Sequence, residues 1–65
     1  MSEYLKAIRT DKRLSQKEVA SAARITQPTY SNIENGKRQP SVDVAKKIAE
    51  VLGFDWTEFF KEEGC

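Results

Sequence analysis

The stretch Leu14 to Lys37, LSQKEVASAARITQPTYSNIENGK, constrains this chain more than any other part of it. Two helix start signals follow one another with almost no linker. Ser15-Gln-Lys-Glu18 is a capping box, in which the serine hydroxyl and the glutamate carboxylate each accept a backbone N–H of the opening turn. Leu14 and Val19 hold the flanking positions of a hydrophobic staple. Thr26 opens the next helix, with Pro28 in its first turn, where a missing N–H costs little, and Ile25 and Tyr30 as its staple. The Tyr30 ring is expected inside with its hydroxyl near the surface. Asn35-Gly36 closes the helix, since glycine enters the left-handed conformation most cheaply. Ala20, Ala22 and Ala23 allow close approach by a neighbouring helix. The second helix instead exposes Gln27, Thr29, Ser31 and Asn32, short hydrogen-bonding side chains rather than a charged face. Such a surface suits a polar, patterned partner, and DNA base edges have that character.

The remaining segments carry their own signals. Ser2 caps an expected first helix with Leu5 and Ile8 as its apolar stripe, fraying near Lys12. Pro40-Ser41 opens a fourth helix whose face runs through Val44, Ala45, Ile48, Val51 and Leu52, and Gly53 stops it. Asp55 opens a short fifth helix to about residue 61, with a Phe54–Phe59 staple, and the tail to Cys65 is expected loose. No alternating β-branched run, low-complexity segment or internal repeat is visible. The expected fold is all-α, a compact bundle of five short helices in a single domain spanning residues 1–65.

Composition removes several function classes. The 65 residues allow one small core. There is no histidine, and Cys65 is the one cysteine, so a zinc site of nitrogen and sulfur ligands and an intrachain disulfide are excluded. No histidine offers an obvious general base near neutral pH, no Gly-rich phosphate loop is present, and 65 residues leave little room for an enclosed pocket, so no enzyme, metal or cofactor is expected. No stretch is apolar enough to span a membrane and no signal-peptide core is seen, which points to a cytoplasmic, nucleoid-associated protein. The net charge is +1, but residues 1–38 hold eight basic against four acidic side chains and residues 39–65 hold three against six. A basic front and an acidic back orient the domain toward an anionic partner.

The run LSQKEVASAARITQPTYSNIENGKRQPS, followed by VAKKIAEVLG and DWTEFF, resembles the helix-turn-helix domain of the Cro and phage-repressor family over about residues 3 to 60. The resemblance implies a motif over about residues 15–35 whose second helix, about 27–35, lies in the major groove of double-stranded DNA. It implies base contacts from Gln27, Pro28, Ser31 and Asn32, and backbone contacts from Gln16, Thr29, Asn35, Lys37 and Arg38. Amides can pair with adenine N6 and N7, and Pro28 can meet a thymine methyl. Arg9 and Glu34 match a pair that forms an internal salt bridge in related repressors. Arg24 departs from the family, which places glycine in that turn. Either the turn keeps a positive φ at a cost of about 1 kcal/mol, or its path differs.

Relatives of this kind bind inverted repeats as two-fold dimers, so a homodimeric repressor is expected. The aromatic cluster Phe54, Trp56, Phe59 and Phe60 is the candidate interface, with Phe59 inward and Trp56 and Phe60 paired across the axis. The competing reading is an antitoxin or adaptor module whose main partner is a protein.

Overall fold

The computed structural model describes residues 2–60. The expected loose tail, Lys61 to Cys65, lies outside them. Four α-helices follow one another: α1 Ser2–Asp11, α2 Gln16–Ala22, α3 Gln27–Glu34 and α4 Val42–Leu52. The expected fifth helix is a single 3-10 turn, Trp56–Phe60. Its five residues leave no second set of i→i+4 bonds to favour the wider α pitch. The first helix begins at Ser2 itself.

Local signals account for the starts. Ser15 Oγ accepts from the Glu18 N–H at 3.0 Å, and Glu18 Oε1 accepts from the Ser15 N–H at 2.7 Å. Thr26 Oγ1 accepts from the Thr29 N–H, and Ser41 Oγ from the Val44 N–H. Asp55 Oδ1 accepts from the Thr57 N–H and starts the C-terminal turn. Each cap occupies one of the orphan donors of a helix N-terminus.

The stops are equally well built. α1 does not fray at Lys12. It closes with the Arg13 N–H on the Thr10 carbonyl and the Leu14 N–H on the Arg9 carbonyl. That pair of bonds is a Schellman motif, and it puts Arg13 at φ 60°.

α2 packs on α3 and α4, α1 on α3, and the C-terminal turn on α4. The core between them holds Leu5, Val19, Ala20, Ala23, Tyr30, Ile33, Ala45, Ile48, Leu52 and Phe59. Val44 and Val51, expected on the buried face of α4, sit at its margin. Tyr30 is fully buried at the centre, hydroxyl included, so the expected surface position of that hydroxyl is wrong. Staple spacing specifies that the ring turns inward but not how deep it goes.

Candidate nucleic-acid interface

The turn between α2 and α3 sets the motif. Ala23 and Arg24 leave the helix, and the Arg24 and Ile25 N–H groups return to the Ser21 and Ala20 carbonyls. Arg24 takes φ 61°, so arginine holds the left-handed conformation that glycine would adopt at less cost. The path is therefore the ordinary one, at a cost of about 1 kcal/mol.

Behind the motif lies a partly buried polar network centred on the buried Glu34. Arg9 Nε and Nη2 donate to the two carboxylate oxygens of Glu34 at 2.7 and 3.1 Å. Arg9 Nη1 donates to the Leu14 carbonyl at 2.8 Å, and Gln16 Nε2 donates to Glu34 Oε2 at 3.1 Å. Three segments are thus joined: the end of α1, the start of α2 and the end of α3. A planar guanidinium on two carboxylate oxygens is the strong bidentate form of such a pair. Burial pushes the Glu34 carboxyl up, but the Arg9 bond, the nearby Tyr30 hydroxyl, the Gln16 bond and the Arg9 charge outweigh it, and the net direction is down. The Glu34 bond holds the Arg9 guanidinium above its ordinary value, against burial. Burial, then the Glu34 carboxylate, pushes the Tyr30 phenol well above its ordinary range. The Tyr30 hydroxyl stands close enough to feel both charges, but no partner meets hydrogen-bonding distance and angle.

The outward side of α3 is different. Gln27, Pro28 and Asn32 are exposed, and neither amide is bonded among the described residues. Thr29 and Ser31 are half-buried and already engaged. The Thr26 hydroxyl donates to Thr29 Oγ1 at 2.7 Å, and Asn35 Nδ2 donates to Ser31 Oγ at 3.3 Å. Lys37 and Arg38 stand exposed in the following loop with no ion pair among the described residues. Gln16, expected on the DNA backbone, is half-buried and commits one N–H to Glu34, leaving its oxygen and its second N–H.

At the other end, Phe59 is buried, Phe60 is 41% exposed and Trp56 is half-buried. Trp56 meets Phe60 edge-on at 6.0 Å between ring centroids, and Lys46 Nζ lies 5.1 Å from the centre of the Trp56 ring. Val42, 48% exposed, is one turn before Lys46 and shares its side of α4. Sequence reasoning missed Val42, because it begins the helix ahead of the apolar stripe.

Among the described residues, no group of three metal-ligating side chains occurs, and no helix is long and apolar enough to cross a membrane. The helix-turn-helix family model matches residues 5–59. The chain is 55% identical over 62 residues to YqaF of Bacillus subtilis (strain 168), described as an uncharacterized HTH-type transcriptional regulator, covering 95% of this chain and 82% of that protein. It is 39% identical over 59 residues to the control protein C.MunI of a Mycoplasma species, covering 89% and 80% of the two chains. It is also 32% identical over 53 residues to the HTH-type transcriptional regulator DdrOP3 of Deinococcus deserti, covering 82% of this chain and 41% of that one. With an all-α fold built around α2 and α3, the chain belongs to the helix-turn-helix family, of Cro and phage-repressor type, and its role is DNA-binding transcriptional regulation.

Proposed function

We propose that this protein is a repressor that binds an inverted-repeat operator as a homodimer, with α3 of each copy in the major groove. One observation carries the reading. The outward side of α3 presents two free amides, Gln27 and Asn32, while Arg9, Gln16 and Glu34 hold the helix from behind. Free amides on a fixed frame suit bidentate pairing with adenine, and Pro28 beside them offers carbon to a thymine methyl. Lys37, Arg38 and the remaining N–H of Gln16 serve the phosphates on either side. Thr29, Ser31 and Asn35 are secondary contacts, since their hydroxyls and amide already bond one another.

A single module of this size buries only about 600–1,000 Å² on DNA, so a second copy is needed for tight specific binding. Phe60, Trp56 and Val42 offer the surface for it, with Lys46 over the Trp56 ring. Repression requires only occupancy of a promoter. The relatives' names speak of transcriptional regulation and control, which supports a regulator of either sign.

Selection of bound duplexes from a random pool tests the reading and returns half-site, spacing and symmetry together. On the selected site, Asn32→Ala is expected to relax preference at one base pair, worth about 1–3 kcal/mol. Lys37→Ala is expected to weaken all sequences alike and to lower the salt slope by about 1. If neither substitution changes binding, α3 is not the recognition element.

A further inference from the structure

The loop between α3 and α4 is anchored at both ends. At its start, the Gly36 and Lys37 N–H groups bond back to the Ile33 and Asn32 carbonyls. At its end, Pro40 is buried and Ser41 caps α4. Gln39, itself exposed, makes a bond that no helix signal requires. Its Nε2 donates to the Phe59 carbonyl at 3.3 Å, across 20 residues of sequence. The acceptor sits in the C-terminal turn, between the buried Phe59 ring and the exposed Phe60 ring. Lys37 and Arg38 stand between the two anchors, exposed and without an ion pair among the described residues.

We propose that Gln39 is a positioning residue that locks the cationic loop Lys37-Arg38 to the C-terminal turn, so that the turn sets where those two charges meet the DNA backbone. The inference rests on the operator-binding reading above and deepens it. The loop supplies the phosphate contacts, and the turn supplies the surface for a second copy. A bond between them makes the two one mechanical unit. Without it, the loop keeps its α3 anchor and the Pro40-Ser41 anchor but loses its tie to the C-terminal turn. A lysine and an arginine on a looser loop still attract DNA, but they no longer sit on fixed phosphates.

The readout uses the fact that Gln39 carries no charge. The slope of log affinity against log salt counts neutralised phosphates at about 0.9 each on B-DNA. At a protein concentration where sedimentation shows the variant still dimeric, removing a neutral side chain lowers that slope only by displacing charges that others carry. In Gln39→Leu, which keeps bulk and loses the donor, the slope on the selected operator is expected to fall by about 1 to 2. Affinity is expected to fall about tenfold near physiological salt, the loss of roughly one charge-assisted contact. Base preference stays as in the wild type. Gln39→Ala repeats the measurement without the leucine bulk and is expected to give the same slope. In a Lys37→Ala, Arg38→Ala background, Gln39→Leu is expected to lower the slope no further.

An unchanged slope in both Gln39 variants, with Lys37→Ala lowering it, overturns the positioning role alone. An unchanged slope in Lys37→Ala as well overturns the phosphate reading of the loop and the positioning role with it. A further fall after both charges are gone also overturns it, because the bond then acts elsewhere. Thermal unfolding of each variant separates loop displacement from loss of fold.

Discussion

Glu34 is the side chain on which the polar structure converges. It is 4% exposed and receives both Arg9 and Gln16. Removing one partner of a buried pair leaves the other charge without compensation, at about 3–5 kcal/mol. The Arg9 side chain keeps 15% exposure, so Glu34→Ala belongs at the lower end, near about 3 kcal/mol. For a domain this small, each kcal/mol shifts the thermal midpoint by roughly 4–8 °C. The pH dependence has a definite sign. The folded carboxyl is held below its ordinary value of 4.5, so its contribution is complete above that value and is lost as pH falls through the folded one. Denaturation followed as pH is lowered should show the Glu34 contribution constant above 4.5 and lost below it, with a shallower fall below 4.5 in Glu34→Gln. Equal slopes would discount the network. None of this was legible in local spacing. Arg9 and Glu34 are 25 residues apart and came from family resemblance, and the Gln16–Glu34 bond, across 18 residues, was not foreseen.

The two helices of the motif open from the same corner. Arg13-Leu-Ser-Gln16 and Arg24-Ile-Thr-Gln27 are the same four-residue pattern, although no repeat was recognised in the sequence. Each has a left-handed arginine, an apolar residue, a hydroxyl cap and a glutamine in the first position of the helix. α3 and α4 end the same way, but on Gly36 and Gly53 at φ 77° and 80°. Two of four stops therefore carry strain that glycine would remove. A left-handed non-glycine residue costs about 1–2 kcal/mol, against about 0.5–1 kcal/mol of extra chain entropy lost by glycine. Arg13→Gly and Arg24→Gly should each stabilise the fold by about 0.5–1 kcal/mol, a few degrees in thermal unfolding. Arg13→Ala and Arg24→Ala keep the strain and should give no such gain. If alanine stabilises as much as glycine, the benefit comes from losing charge and the strain account fails. Helix starts and the two glycine stops could be read because caps are local chemistry, whereas the Arg13 stop could not, because arginine does not announce a left-handed turn. The 3-10 geometry of residues 56–60 could not, because the Asp55 cap and the Phe54–Phe59 staple fit the opening of an α-turn and of a 3-10 turn alike.

The whole domain has more apolar surface than one core can take in. Phe59 goes inside at 5% exposure, while Phe60 stays at 41% and Val42 at 48%. This division was legible in part. Sequence placed Phe59 inward and Phe60 outward, but it could not show that Lys46 already covers one face of Trp56, which leaves Phe60 and Val42 as the larger share of any contact. Charge adds a second constraint. The half of the chain that carries this surface is acidic, whereas the half that carries α3 is basic. Two copies meeting through halves of like net charge repel, and salt screens that repulsion. The same salt weakens DNA binding by competing for phosphates. The two equilibria should therefore move in opposite directions as salt rises. Sedimentation equilibrium is expected to show a reversible wild-type dimer that holds or tightens with salt. Phe60→Glu should weaken it at least tenfold, about 1.4 kcal/mol, while the monomer remains folded because the replaced ring is largely at the surface. A wild-type chain that stays monomeric at high micromolar concentration would sink the interface. Each α3 would then read its half-site alone, and the selected operator would show no fixed spacing between inverted copies.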